Sequence, residues 1–258
     1  MSAFTHLHVH SEFSLLDGLA RLGDLCHYAQ QSGMTALALT DHGQMYGMIK
    51  FQRAASRAGI KPIYGVELYQ APRRLDQRES QLDSKAFHIV LLAKNLTGYR
   101  NLLQLDTIAN LQGFYYRPRV DKETLARYSE GLICLSACLS GEVPSLVAGG
   151  QLEKARQTIG WFKEVYGADN YFLELQRHGG VPELEKVNPQ LVALAKDFGL
   201  RCVATNDVHY VRQQDASAQE LLLAIQTNTT MADPNRMRMG SDDYYLMTPE
   251  EMARHLPE

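Results

Sequence analysis

The residues of this chain that could do chemistry are histidines and carboxylates at the ends of short apolar runs. His6, His8 and His10 alternate within FTHLHVH, and Asp17 follows in SEFSLLDG. Asp41 and His42 close TALALTDH, Glu67 lies in KPIYGVELY, and His88 opens FHIVLLAKN. Cys138 ends GLICLSAC, and one residue separates Asp207 from His209 in RCVATNDVHY. Imidazoles and carboxylates together suit zinc, manganese or iron, and a thiolate among them tilts the set towards zinc. With His6 set aside, the candidate donors are His8, His10, Asp17, His42, Glu67, His88, Cys138, Asp207 and His209. One zinc takes about three or four protein ligands, so this set points to two or three metals with a carboxylate bridging.

Each signal alone has an ordinary explanation. A His-x-His pair is commonly hydrogen-bonded in a core, an Asp-His pair can cap a helix, and a lone cysteine is often a small buried hydrophobe. Their coincidence near the ends of different strands is what points to metal. His6, His27, His178 and His255 are assigned no ligand role. His6 lies deeper along its strand, as a core residue or one that orients a ligand. His178 follows the sixth strand near the rim, where it would be within reach of a substrate. Asp41 beside His42 and Asn206 beside Asp207 are expected to orient their neighbours.

The elements that must position these groups alternate regularly. FTHLHVH (Phe4 to His10) reads as a strand, and alternation points its three histidines to one face. Six further strands follow in TALALTDH, KPIYGVELY, FHIVLLAKN, GLICLSAC, YFLELQ and RCVATNDVHY. Helical periodicity fills the gaps, most clearly in QLEKARQTIGWFKEVYG and in LEKVNPQLVALAKDFGL, which carries Pro189. This βαβα rhythm predicts an α/β fold with a parallel sheet, closed as a (βα) barrel rather than an open doubly wound sheet. All the candidate donors except His88 then fall at or beyond C-terminal strand ends, where barrels build sites. His88 would need an earlier strand start or a stagger to reach the same mouth.

Two segments break the rhythm. Residues 71–85 are charged and nearly without core formers, and read as a solvated excursion. After residue 212 the pattern changes, so the chain divides into a metal-binding barrel, 1–212, and a helical and irregular extension, 213–258. Thr248-Pro249-Glu250-Glu251 reads as a helix start, with the helix running to Pro257. A helix begun so close to the end reads as part of something longer.

Composition sets bounds. The 258 residues are 45% apolar and 21% charged, enough for a sizeable core without disulfides. A net charge of -3 gives no global field for nucleic acid. The four cysteines form no C-x-x-C pair, which suits reduced thiols in the cytoplasm. No signal peptide or membrane span is visible.

The ordered motifs HLHVHSEFSLLDG, Thr40-Asp41-His42, GVELY, FHIVLLAKN, SACLSGE and ATNDVHY resemble the PHP (polymerase and histidinol phosphatase) superfamily. GIKPIYG, LTGYRNLLQL, GFYYRPRVD and TPEEM extend the resemblance across the whole chain. They favour the branch found at the N-terminus of bacterial replicative DNA polymerase III α subunits. Small phosphatases of the superfamily tend to have histidine where this chain has Asp17 and Cys138. The resemblance implies a distorted (βα)7 TIM-like barrel and three divalent ions, zinc or manganese, with iron a further candidate. One would be held by His8, His10, Glu67 and Asp207, a second by Glu67, His88 and Cys138, and a third by Asp17, His42 and His209. It implies a phosphoesterase with 3′–5′ exonuclease, proofreading activity, its attacking water held at Glu67, Asp207, His8 and His10. Implied partners are a DNA 3′ end and the remaining polymerase domains in cis. Through the parent protein they extend to a proofreading exonuclease subunit and the sliding clamp. Tyr115-Tyr116-Arg117-Pro118-Arg119 is the segment that combines aromatics and cations for DNA, or else a turn packed on the barrel. The competing readings are a small-molecule phosphatase of the histidinol-phosphatase type and a metal-stabilised docking domain without catalysis.

Overall fold

A computed structural model describes residues 4–256. The strands are β1 Ala36–Leu39, β2 Lys61–Gln70, β3 Phe87–Ala93, β4 Arg119–Val120, β5 Leu132–Leu135, β6 Tyr171–Leu175 and β7 Arg201–Ala204. The helices are α1 Leu22–Gln31, α2 Met48–Ala58, α3 Ser80–Asp83, α4 Leu96–Leu111, α5 Lys122–Arg127, α6 Glu142–Ala148, α7 Leu152–Tyr166, α8 Glu183–Phe198, α9 Ala216–Gln226 and α10 Pro249–His255. The sheet order is β1-β2-β3-β5-β6-β7, with β4 added beside β2.

The sheet is not wholly parallel, as the βα rhythm predicts. β3 runs antiparallel to both β2 and β5, while β1–β2, β5–β6 and β6–β7 are parallel. The cause is the connection between β2 and β3. It contains only the four-residue α3, not a crossover helix able to carry the chain back to the other end of the sheet. The chain therefore turns and re-enters from the end it left. That connection is also less solvated than its composition implies. Asp83 is fully buried, accepts from Arg73 Nη2 at 2.5 Å, and offers its backbone carbonyl to the buried Arg119 at 3.2 Å.

The first expected strand is likewise corrected. Residues 4–10 form no continuous strand; Val9 alone makes a bridge, to Val208. The segment nevertheless bonds to both sheet edges. The amides of Ala38 and Thr40 donate to the carbonyls of His6 and Val9; on the other side the His10 amide donates to the Val208 carbonyl and the Val208 amide to the His8 carbonyl. The sheet thus curls until its two edges meet one extended segment. Short β4, inside GFYYRPRVD, was not apparent in the sequence pattern.

Alternation sorts the side chains of the curled sheet. Val66, Leu68, Ile89, Leu91 and Leu173 face the helices in the larger core. Ala38, Val90, Leu92 and Leu135 form a smaller inner cluster. Glu67 pairs with Val90 and Glu174 with Val203, so both glutamates share that inner side. The extension after residue 212 packs on the same body: Tyr210 bridges Tyr245, and Asn206 Nδ2 donates to the carbonyls of Asp243 and Tyr245. α10 begins with Thr248 as N-cap, in a reciprocal capping box with Glu251. Pro257 lies outside the described residues. Among the described residues no helix is long and apolar enough to cross a membrane.

Gly65 lets β2 and β3 approach on the inner face. A Cβ there would lie 2.7 Å from the Leu91 carbonyl oxygen and 2.6 Å from Leu92 Cδ2. Gly65→Ala is expected to lower unfolding free energy by about 1–3 kcal/mol, read from urea denaturation. An unchanged midpoint would contradict this packing.

Candidate metal centre

Reversal of β3 decides the geometry of the site. Because that strand runs backwards, its first residues lie at the rim where the parallel strands end. His88 is paired with Tyr69, near the end of β2, and bridges Gly141. Direction of travel, not stagger, brings His88 to the mouth.

All the candidate donors come together there. Glu67 is the hub. Its carboxylate oxygens lie 2.6 Å from His42 Nδ1, 2.8 Å from His88 Nδ1, 3.3 Å from His8 Nε2 and 3.6 Å from His10 Nε2. Asp207 Oδ1 stands 3.2 Å from both His8 Nε2 and His10 Nε2. Asp17 lies 3.3 Å from His42 Nε2 and 3.8 Å from His209 Nε2. Cys138 Sγ is 3.7 Å from His88 Nδ1. Donor atoms of His8, His10 and Asp207 gather within 4.8 Å of one another, as do those of His42, Glu67 and His88, and of His10, His42 and His209.

Backbone and neighbouring side chains hold these groups in place. Asp207 has φ 46 and Ala137, just before Cys138, has φ 62. Both sit in the left-handed region that non-glycine residues avoid, at a cost of about 1–3 kcal/mol each. His8 Nδ1 donates to Glu174 Oε1 at 2.7 Å, which turns Nε2 towards the cluster. Glu174 in turn accepts from Gln176 Nε2 and from the Thr205 hydroxyl. His10 Nδ1 donates to Ser14 Oγ at 3.0 Å, and that hydroxyl donates to Asp41 at 2.8 Å. His209 Nδ1 donates to the Asp207 carbonyl at 2.7 Å. Asp41 thus acts on His10 through Ser14. Asn206 anchors the extension and gives its amide to no group of Asp207. Glu174, Gln176 and Ser14 were not singled out in the sequence, since an acid in an alternating strand or a loop serine carries no distinctive signal.

Electrostatics make the cluster costly without cations. Every ion-pair partner of Asp17, Glu67, Glu174 and Asp207 among the described residues is a histidine. Burial opposes ionisation of Glu67, yet His88, His42 and His8 hold it well below the usual carboxylate range. Burial, reinforced by His42 and His209, pulls His10 down to about 3. Burial, with Asp207 and Glu67 nearby, pushes the Cys138 thiol well above its ordinary value. A cation in that field would reverse the balance and favour thiolate.

The donors fit divalent metals by two further criteria. His8 Nε2, His10 Nε2, Asp17 Oδ1, His42 Nδ1, Glu67 Oε2 and Asp207 Oδ1 are buried and, though close to one another, are not aligned as hydrogen-bond pairs, a state that is expensive unless something else satisfies them. Ligands at about 2.0–2.1 Å around a tetrahedral zinc stand about 3.3 Å apart, and a thiolate–imidazole pair about 3.6 Å. The separations of 3.2 Å from Asp207 to His8 and to His10, and of 3.7 Å from Cys138 to His88, are close to those spans.

These features define a class first: an α/β protein whose curled sheet gathers donors that could hold divalent metal at one rim. A family model described as PHP domain matches residues 6–178, and the chain belongs to that family. It is also similar along its length to curated proteins described as DNA polymerase III subunit alpha. The Borreliella burgdorferi relative is 46% identical over 261 residues, 100% of this chain and 23% of the relative. The Treponema pallidum relative is 48% identical over 260 residues, 99% of this chain and 22% of the relative. The chain therefore spans less than a quarter of the length of these relatives. A solved amidohydrolase from Chromobacterium violaceum, with bound sulfate and no metal, matches at TM-score 0.50 and 15% identity. It covers 81% of this chain and 88% of that one, a likeness of fold.

If Glu174 orients His8, Glu174→Ala should weaken divalent-cation binding about 10–100-fold, measured by titration against a chelator. Unchanged affinity would show that His8 needs no such partner.

Proposed function

We propose that the chain is the PHP domain of a bacterial replicative DNA polymerase III α subunit, folded as a distorted (βα)7 barrel, and that it hydrolyses phosphate esters at a trinuclear centre. The observation that carries this reading is the buried donor cluster, in which no lysine or arginine pairs with the carboxylates among the described residues. His8, His10, Glu67 and Asp207 would hold one ion, Glu67, His88 and Cys138 a second, and Asp17, His42 and His209 a third. The mixed imidazole, carboxylate and thiol donors suit zinc or manganese.

Bound divalent ions would supply charge neutralisation of the phosphate and activation of water. The residues do the rest. Glu67 fixes the spacing of two donor groups by sharing its carboxylate between them. Glu174, Ser14 and the Asp207 carbonyl fix the ring orientations of His8, His10 and His209. Glu67, Asp207, His8 and His10 would hold the ion that supplies an activated water, a chemistry that needs no separate protein base.

We further read the substrate as a DNA 3′ end, making the activity a 3′–5′ exonuclease of the proofreading type. Similarity to polymerase subunits supports this, and so does the rim. The exposed Arg117 guanidinium lies 5.7 Å from the Tyr69 ring centroid. That ring stands 5.2 Å from His88 and 6.0 Å from His42. Tyr116, 61% exposed at φ 59, presents an aromatic face beside it. A cation linked to the donors through Tyr69, with an exposed aromatic next to it in sequence, suits a single-stranded end.

The protein, stripped and reloaded with zinc or manganese, should release nucleotides from 3′-labelled single-stranded DNA, and Asp207→Ala should abolish release. Equal activity in both would overturn the assignment. Rapid hydrolysis of a small monoester without nuclease activity would instead indicate a phosphatase. Arg117→Ala should weaken single-stranded DNA binding and flatten the log–log salt dependence by about 0.7. An unchanged slope would remove Arg117 from the DNA path.

A further inference from the structure

His178 follows β6 and is only 4% exposed, yet neither of its ring nitrogens has a hydrogen-bond partner among the described residues. Two other histidines outside the donor cluster each have one nitrogen bonded: His6 Nε2 meets the Met247 carbonyl, though its Nδ1 has no partner, and His255 Nε2 meets the Arg177 carbonyl. A buried imidazole with both nitrogens idle calls for a ligand or another unseen partner.

The ring is held firmly. It stacks on Tyr244 with centroids 3.9 Å apart and planes 17° apart. Tyr244 meets His209 edge-on at 5.9 Å. His178 therefore lines a cleft of about 210 Å³ that also exposes Asp17, His42, His88, Cys138 and Asp207. It belongs to none of the gathered donor groups. Its place is on the wall facing the candidate metals, and Tyr244, from the extension, fixes it there.

Charge suits that position. Burial, partly opposed by Asp207 and Asp243, pulls His178 down to about 4. The neutral ring offers one N–H and one lone pair. A lysine or arginine here would compete with metal for the carboxylates. An uncharged N–H donor reaches an anionic substrate without doing so.

We propose that His178 is a substrate-binding residue that donates a hydrogen bond to a non-bridging oxygen of the phosphate being cleaved. The inference rests on the phosphoesterase reading but does not depend on DNA being the ester. Tyr244 positions the ring, and the second nitrogen is left to a water or a substrate hydroxyl.

The test uses the metal-loaded protein with His178→Ala, His178→Gln and Tyr244→Leu. Metal content and circular dichroism are read beside two functional measurements. These are kcat/KM on single-stranded DNA and on bis(p-nitrophenyl) phosphate, and the affinity for inorganic phosphate by calorimetry. His178→Ala should keep its metal and fold while losing on the order of 10–100-fold in kcat/KM, with weaker phosphate binding. His178→Gln, which retains an amide donor, should recover part of both losses. Tyr244→Leu should lose activity without losing metal. Unchanged phosphate affinity and kcat/KM in His178→Ala would overturn the proposal. So would loss of metal in proportion to loss of activity, which would make His178 a ligand or a structural group. If His178→Ala fails to fold, His178→Gln and Tyr244→Leu decide by the same readouts. If the wild type cleaves no ester but still binds phosphate through His178, the catalytic reading fails and the phosphate contact stands. A wild type that does neither overturns both.

Discussion

A buried carboxylate with only imidazoles beside it is the constraint on which the rest of this structure depends. Glu67 is 1% exposed and lies within reach of four histidines, none of which is a permanent cation. Asp207 and Asp17 repeat the pattern around it. Burying such charge is unfavourable unless it is compensated. Burial opposes protonation of His8 and His42, yet nearby carboxylates hold both well above their ordinary values. Metals would satisfy the idle nitrogen and oxygen atoms together.

The fold can be understood as the means of meeting that constraint. Parallel strands deliver side chains to one rim, and the reversed β3 adds a donor from its first residues rather than its last. The segment 6–10 joins both sheet edges, so His8 and His10 sit where the curl closes. The extension then supplies Tyr244 and Met239 to the cleft wall. A region that looks like an appendage in sequence is part of the site's enclosure.

Much of this was legible in the sequence, for definite reasons. Donors at strand ends are visible because apolar runs mark the strands and acids or histidines interrupt them. The Thr248 cap is visible because its hydrogen bonds are local. His88 could be identified but not placed, because strand direction depends on how a connection packs, and the buried Asp83–Arg119 contact is made across 36 residues. Residues 4–10 carry a strand's alternation without a continuous ladder. Glu174 is hidden for a related reason: its role appears only when β6 lies beside His8, 166 residues away in sequence. His178 could be placed near the rim, within reach of a substrate, but sequence gives no sign that both of its nitrogens lack partners, because that depends on the packing around β6.

If the gathered donors hold a cluster of metals, ions must sit at the rim. Anomalous diffraction from crystals grown with zinc or manganese tests it most directly. The account predicts three peaks, one among His8, His10, Glu67 and Asp207, one among Glu67, His88 and Cys138, and one among Asp17, His42 and His209. An anomalous map with no peak at the rim, from protein that remains folded and saturated with cation, would contradict it.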